Sequence, residues 1–179
     1  VYKDVLFISG CNENLPHPWR YRVKHQREQL EAMNYTTDEV YFTELELDII
    51  RYYRSFVFFR CPETETIKGF VALAKCLNKT VVYDIDDLVV DTKYTDQIKY
   101  VASLPVEEKH AYDANVMSMQ SMLKSCDYAT TTTNCLKKEL ENYCPKVYIN
   151  RNVASEEMIL LSEEALKNKP DNKNVVKIC

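Results

Sequence analysis

The sequence lacks the long apolar runs that mark membrane-spanning segments. No run approaches the roughly 18 to 20 consecutive apolar residues that a transmembrane helix needs. The amino-terminal residues enter a strand-like run directly, without the pattern of a secretory signal peptide. We therefore expect a soluble domain with a cytoplasmic location.

Paired cysteines and an excess of positive charge are also missing. The seven cysteines are an odd number and include no CxxC pair or neighbouring histidine at a zinc-ligand spacing. This pattern indicates free thiols in a reducing compartment, with neither a disulfide framework nor a zinc site. The formal net charge of −4 provides no electrostatic footprint for nucleic acid. We therefore expect no nucleic-acid partner.

Strand-like apolar runs alternate along the chain with longer helical segments. The predicted strands lie at 4–9, 39–45, 55–61, 80–87, 127–133 and 146–153. The predicted helices lie at 20–34, 47–54, 62–79, 105–126, 134–143 and 156–168. This alternation, with nearly continuous apolar content in the strands, predicts an α/β fold: a Rossmann-like parallel sheet with helices on both faces.

The last residues of the sequence indicate where this domain ends. After a polar stretch the chain resumes with the strand-like run VVKIC, and the segment KNVVKIC at 173–179 shares a Lys-polar-Val opening with the first strand. We therefore predict a Rossmann-like domain at 1–168, followed at 169–179 by a linker and the start of a second domain. In this interpretation the chain is a fragment of a longer protein.

Charged side chains follow two of the predicted strands, at the edge where open parallel sheets bind ligands. In the segment VVYDIDDLVVD, Asp84 and Asp86 alternate along one strand face, and we expect solvent and ligand to reach both. Asp87 is interpreted as a cap of the following turn, pointing the other way. Arg60 follows the third strand, where either a ligand or an ion pair with Asp84 or Asp86 would satisfy its charge.

Further candidate residues come from the first helix and from other strand ends. Arg20 and Arg22 open the helix beside this edge, where they would bind a phosphate or an acidic acceptor, or else lie on a solvated helix face. Gly10 and Asn152, which follow the first and last strands, complete the predicted substrate-binding set. We expect Thr133 to cap the helix that follows it. The three histidines lack partners at metal or catalytic spacing, so we expect them on the surface.

Five segments resemble, in order and spacing, the amino-terminal half of family 4-like glycosyltransferases: RYRVKHQREQLEAMNY, FFRCP, VVYDIDDLVVD, DYATTTTNCLKKEL and VYINRNVASEEM. These enzymes have the GT-B architecture of two Rossmann-like domains, and several act in bacterial cell-surface polysaccharide synthesis. The resemblance covers essentially the whole chain. It implies an acceptor-side domain whose partners are a glycan or lipid-linked acceptor and, through a carboxyl-terminal domain, a nucleotide-sugar donor. Peripheral contact with a membrane is left open.

Two positions depart from the pattern of that family. The family often has a glycine-rich loop after the first strand, where this chain has only Gly10. Many members carry a histidine after the fourth strand, where this chain has its aspartate cluster. We therefore predict Asp84 and Asp86 as the catalytic residues, one of which orients or deprotonates the acceptor hydroxyl. The resemblance implies no metal and no cofactor, because GT-B enzymes stabilise the leaving diphosphate with side chains and helix dipoles.

Two other functions fit parts of the same segment. VVYDIDDLVVD is similar to the nucleophile motif of haloacid-dehalogenase-type phosphatases, in which the first aspartate, here Asp84, attacks phosphorus and the second, here Asp86, acts as acid and base beside magnesium. The chain has Leu88 where that motif has Thr or Val, and three predicted strands precede it. The other alternative is a non-enzymatic α/β binding or receiver-like module.

Overall fold

A single parallel sheet organises the protein in a computed structural model that describes residues 2–11 and 16–168. Its strands are β1 (Lys3–Ser9), β2 (Thr37–Tyr41), β3 (Tyr53–Phe59), β4 (Thr80–Asp84), β5 (Tyr128–Thr131) and β6 (Val147–Ile149). They lie in the order β2-β1-β3-β4-β5-β6, and every neighbouring pair is parallel. The predicted α/β, Rossmann-like parallel sheet is confirmed. The predicted linker and second-domain start at 169–179 lie outside the described residues.

Helices connect these strands. After β1 come α1 (Pro16–Trp19), a π-helical turn (Arg20–Lys24) and α2 (His25–Ala32). The later helices are α3 (Glu65–Cys76), α4 (Lys99–Ala102), α5 (Val106–Ser125), α6 (Asn134–Leu140) and α7 (Glu156–Lys167). Short 3-10 segments cover Phe42–Glu44, Leu47–Tyr52 and Thr92–Gln97. In the described residues, no helix combines the length and apolar character needed to cross a membrane.

Hydroxyl side chains set the start of two helices. Thr133 accepts a hydrogen bond from the Leu136 N–H at 3.2 Å, which confirms its predicted capping role. The helix predicted to open at Pro62 instead begins at Glu65. Thr64 has an extended backbone and accepts from the Ile67 N–H at 3.2 Å, so the cap lies two residues after the proline.

Alternating side chains of the strands build two cores, one on each face of the sheet. On one face, Phe56 and Phe58 of β3 pack with Phe70 of α3 in the larger cluster. On the other face, Phe59 packs with Phe7 of β1 and with Val23 of the π-helical turn. Because successive strand residues point to opposite faces, this pattern requires helices on both sides of the sheet. Both sides are covered as predicted.

The strand order reverses between β1 and β3. The chain leaves β1 toward β2 at one side and returns to β3 at the other side of β1. In open parallel sheets, the crevice at the carboxyl ends of the strands beside such a reversal is where ligands bind. The residues that follow β1 and β3, beginning with Gly10 and Arg60, therefore lie at the expected ligand position.

Candidate functional site

The backbones that follow β1 and β3 touch at the strand reversal. The Gly10 N–H donates to the Phe59 carbonyl at 2.7 Å. A Cβ on Gly10 would lie 2.2 Å from the Arg60 carbonyl oxygen, a distance that real side chains do not adopt against backbone. Glycine is therefore required here for close approach. Gly10, predicted to bind substrate, has a packing role that brings Arg60 to this edge.

Arg60 has an unusual backbone conformation. Its φ angle of 48° lies in the left-handed region, which costs free energy for a residue with a side chain. Its N–H donates to the Asp84 carbonyl at 3.1 Å, which fixes this conformation against the end of β4. Strained residues of this kind cluster at functional sites, so the outlier marks this edge as a candidate site.

The side chain of Arg60 contacts two carboxylates. Its Nε lies 2.8 Å and its Nη2 lies 2.6 Å from Asp86 Oδ1, and Nη2 also contacts Asp87 Oδ2. Of the alternatives left open for Arg60, a ligand or an ion pair with Asp84 or Asp86, the structure shows the ion pair with Asp86. The prediction that Asp87 points away is wrong: β4 ends at Asp84, and beyond it the alternation of a strand no longer separates the two side chains.

Exposure and charge distinguish these three residues, which we call the Arg60 cluster (Arg60, Asp86 and Asp87). The Arg60 and Asp86 side chains are 17% and 13% exposed, whereas that of Asp87 is 59% exposed. Burial alone would lower the pKa of Arg60, but the charges of Asp86 and Asp87 outweigh it and raise the pKa above its usual value. Two carboxylates face one guanidinium, so the cluster has a net charge of −1.

Asp84 lies in a different environment. It was expected at the mouth of the sheet, within reach of solvent and ligand, but its side chain is fully buried. Arg22 Nε donates to Asp84 Oδ1 at 2.8 Å, Arg22 Nη2 donates to Oδ2 at 2.5 Å, and the Thr130 hydroxyl donates to Oδ2. Asp84 points to the sheet face that the π-helical turn covers. The expectation of an accessible carboxylate at Asp84 is therefore wrong.

The partner of Asp84 is equally buried. Arg22, expected on an accessible helix face, has no exposed surface in the structure. Its Nη1 donates to the Asn150 carbonyl at 2.5 Å and to Asn152 Oδ1 at 3.1 Å. These bonds join the π-helical turn to β4 and to the segment after β6. Of the predicted substrate-binding residues, Arg22 and Asn152 are thus held together by a structural contact.

No protein-family model, curated protein or solved structure matches this chain.

Arg20 lines a cavity that includes no residue of the Arg60 cluster. This cavity of about 230 Å³ is lined by Arg20, Lys24 and His25 on one side and by Ser155 and the first two turns of α7 on the other. His25 was expected on the surface but is 2% exposed, with Nδ1 2.9 Å from the Val153 carbonyl. Two side chains accept hydrogen bonds from backbone N–H groups in the first turn of α7. Ser155 accepts from the Met158 N–H at 3.2 Å, and Glu28 accepts from the Glu156 N–H at 3.0 Å.

The Arg60 cluster has the chemistry of a hydroxyl-binding site. Within the described residues, the hydrogen bonds of Asp86 use Oδ1, and none uses Oδ2. An ionised carboxylate accepts hydrogen bonds only, so Oδ2 of Asp86 and the exposed Asp87 are suited to hydroxyl donors. A net negative charge disfavours a phosphate at the same place. No group of three or more His, Cys, Asp or Glu side chains in the described part of the chain is arranged to hold a metal ion.

Sequence reasoning missed the contacts made by Thr130 and by the Asn150 carbonyl. Thr130 is the register partner of Asp84 on β5. The run TTTT at the end of that strand was a signal that its hydroxyl groups face a polar side chain of a neighbouring strand. The Asn150 carbonyl carries no signal in its residue type, because every residue has a carbonyl.

Proposed function

We propose that this domain binds a hydroxyl-rich acceptor and is the acceptor-side domain of a family 4-like glycosyltransferase of the GT-B architecture. The observation that carries the proposal is the Arg60 cluster: two carboxylates and one guanidinium at the strand reversal, with a net charge of −1 and a strained Arg60 backbone. Sugars present hydroxyl donors without charge, so a carboxylate edge suits them better than it suits a phosphate. The sequence resemblance supports the same class.

Asp86 is the carboxylate best placed for catalysis. Arg60 holds Oδ1, and Oδ2 would accept the hydrogen bond of the acceptor hydroxyl. As the acceptor oxygen attacks the anomeric carbon of the donor sugar, its proton would move to Asp86, and the bond to the leaving nucleotide diphosphate would break. Asp87 would hold a second hydroxyl. Asp84, buried and hydrogen-bonded to Arg22, positions the end of β4 and does not touch the reacting atoms.

The donor would be held elsewhere. In GT-B enzymes a second Rossmann-like domain binds the nucleotide-sugar, so the ligand expected for this domain is the acceptor alone, either a glycan or a lipid-linked glycan. Transfer in the cytoplasm during cell-surface polysaccharide synthesis, with the membrane as the source of a lipid-linked acceptor, is part of the same proposal.

The phosphatase alternative conflicts with the position of Asp84. A haloacid-dehalogenase-type enzyme needs its first aspartate as an exposed nucleophile, but the Asp84 side chain has no exposed surface and both of its oxygens accept hydrogen bonds. Removing Arg22 from it would leave a buried charge unpaired, at a cost of about 3–5 kcal/mol. No observation favours the receiver-like alternative over acceptor binding.

Acceptor titration of the whole chain tests the proposal. We expect a panel of glycans and lipid-linked glycans, titrated by NMR or calorimetry, to contain at least one that binds. Asp86→Asn should weaken its binding at least tenfold. Asp48→Asn is the matched control, because Asp48 is also paired with an arginine but lies in the 3-10 segment before β3, away from the carboxyl ends of the strands.

Turnover provides the second readout. In a protein that contains this domain and transfers sugar, Asp86→Asn should reduce turnover by about 10²-fold, the usual scale for general-base assistance. Should the acceptor panel show no binding while a nucleotide-sugar binds this chain tightly, the acceptor-side assignment is wrong.

A further inference from the structure

A lysine-lined cleft lies at the opposite edge of the sheet, where the strands begin. It has a volume of about 650 Å³ and lies between the starts of β4, β5 and β6 and the ends of α3 and α5. This volume falls within the range of small-molecule sites, about 300–1,000 Å³. We call it the lysine cleft; its charged lining consists of Lys75, Lys79, Lys124, Lys146 and Asp127.

Positive charge in the lysine cleft is only partly compensated. Lys75 Nζ lies 3.1 Å from Asp127 Oδ1, the one carboxylate of the lining. Lys124 and Lys146 have no carboxylate within 4.0 Å among the described residues, and lie over the rings of Tyr143 and Tyr128 at 5.5 and 5.0 Å from the centroids. Four lysines and one aspartate leave the lining with a net charge of +3, although the whole chain is negative.

Helix termini explain only part of this charge. Lys75 and Lys124 lie in the last turns of α3 and α5, where a cation interacts favourably with the helix dipole. Lys79 and Lys146 lie outside these helices, directly before β4 and β6. Both residues line the same concave surface as Lys75 and Lys124, and Lys79 Nζ also donates to the Tyr53 carbonyl and the Tyr2 hydroxyl. The four lysines together make the electrostatic potential of the cleft positive, which favours an anion.

We propose that the lysine cleft binds phosphate groups of a ligand that carries more than one negative charge. Lysine ammonium groups bind phosphate as point charges, and several around a cavity favour a multivalent anion over a single one. Tyr128 and Pro145 provide an uncharged wall beside them. The phosphate could belong to a soluble polyphosphate or to the headgroup of an anionic phospholipid. This inference does not depend on the proposed acceptor site.

Binding of inorganic pyrophosphate to the whole chain is the direct test. We expect saturable 1:1 binding, weakened at least tenfold by the double variant Lys124→Gln/Lys146→Gln. The matched control is Lys68→Gln/Lys138→Gln, which removes the same charge from two exposed lysines away from the cleft. The control variant should bind as the unmodified chain does. Equal weakening in both variants, which would indicate a net-charge effect alone, overturns the proposal.

Vesicles distinguish the source of the phosphate. Cosedimentation with phosphatidylcholine vesicles that contain phosphatidylglycerol, but not with pure phosphatidylcholine vesicles, assigns the site to a lipid headgroup if the cleft variant abolishes it and the control variant does not. Pyrophosphate binding without cosedimentation assigns it to a soluble ligand. The absence of both kinds of binding overturns the proposal. All four lysines of the two variants are exposed, so thermal melting should show both variants folded.

Discussion

The protein contains two arginine–aspartate sites within one short segment of β4 and the residues that follow it, and they differ mainly in burial. The Arg22–Asp84 pair is completely buried, and hydrogen bonds from Thr130 and to Asn150 surround it. In the Arg60 cluster, Asp87 is 59% exposed. The comparison shows that the same residue types can have different roles. Complete burial makes the Arg22–Asp84 pair a structural contact, whereas partial exposure leaves the Arg60 cluster accessible to a ligand.

Asp84→Asn should produce the largest effect. The substitution keeps the shape of the side chain but leaves the Arg22 guanidinium buried without its counter-charge, which should lower the free energy of unfolding by about 3–5 kcal/mol. Denaturant unfolding measures it. The double variant Arg22→Met/Asp84→Leu should recover much of the loss, because replacing both partners removes the unpaired charge. A loss below about 1 kcal/mol would contradict the buried pair.

Gly10→Ala should produce the next effect, through the backbone contact that positions the Arg60 cluster. Its Cβ would meet the Arg60 carbonyl at 2.2 Å, and such overpacking typically costs about 1–3 kcal/mol. The control is Gly69→Ala in α3, where a Cβ meets nothing within 4 Å and alanine should stabilise the helix by about 0.5–1 kcal/mol. Unfolding of the two variants should therefore shift in opposite directions.

Asp87→Asn should have little effect on stability. An ion pair with a largely exposed carboxylate contributes about 0–1 kcal/mol, so unfolding should change far less than for Asp84→Asn. Acceptor affinity should fall, because the exposed carboxylate is a proposed hydroxyl contact. If unfolding changes as much as it does for Asp84→Asn, the distinction between the two sites fails.

The pair of Tyr143 and Asp91 extends the comparison to an aspartate whose partner is uncharged. Burial and the hydrogen bond to Asp91 raise the pKa of Tyr143 to about 12 in the folded state, above its usual value of 10.0. A raised folded pKa favours the protonated form, so the stabilisation is fully present below pH 10 and is lost as the pH rises from 10 toward 12. The stability difference between the unmodified chain and Tyr143→Phe, measured by denaturant unfolding from pH 8 to 11, should shrink above pH 10.

The fold followed from the sequence because its signals are local. Apolar runs of strand length and a helix-capping residue such as Thr133 can be recognised without knowledge of the rest of the chain. The prediction that polar residues gather at the carboxyl edge was right for Arg60 with Asp86, because both directly follow neighbouring parallel strands.

The site was less predictable because its contacts are distant in the sequence. Arg22 and Asp84 are 62 positions apart, and neither residue type indicates that a helical segment covers the end of β4. The π-helical turn adds a further difficulty, since it departs from the 3.6-residue period used to assign faces to the helix. His25 was assigned to the surface because no partner lies at metal or catalytic spacing in the sequence, but it is buried against the Val153 carbonyl.

The parallel direction of the strands has a consequence for competition between ligands. β4 begins at Thr80, in the lining of the lysine cleft, and ends at Asp84, beside the Arg60 cluster. The four steps between the first and last of its five residues, at about 3.3 Å each, place the two ends of this strand roughly 13 Å apart. The proposed phosphate ligand and the proposed acceptor therefore have separate places on the domain. Under both proposals, neither ligand would displace the other by direct overlap.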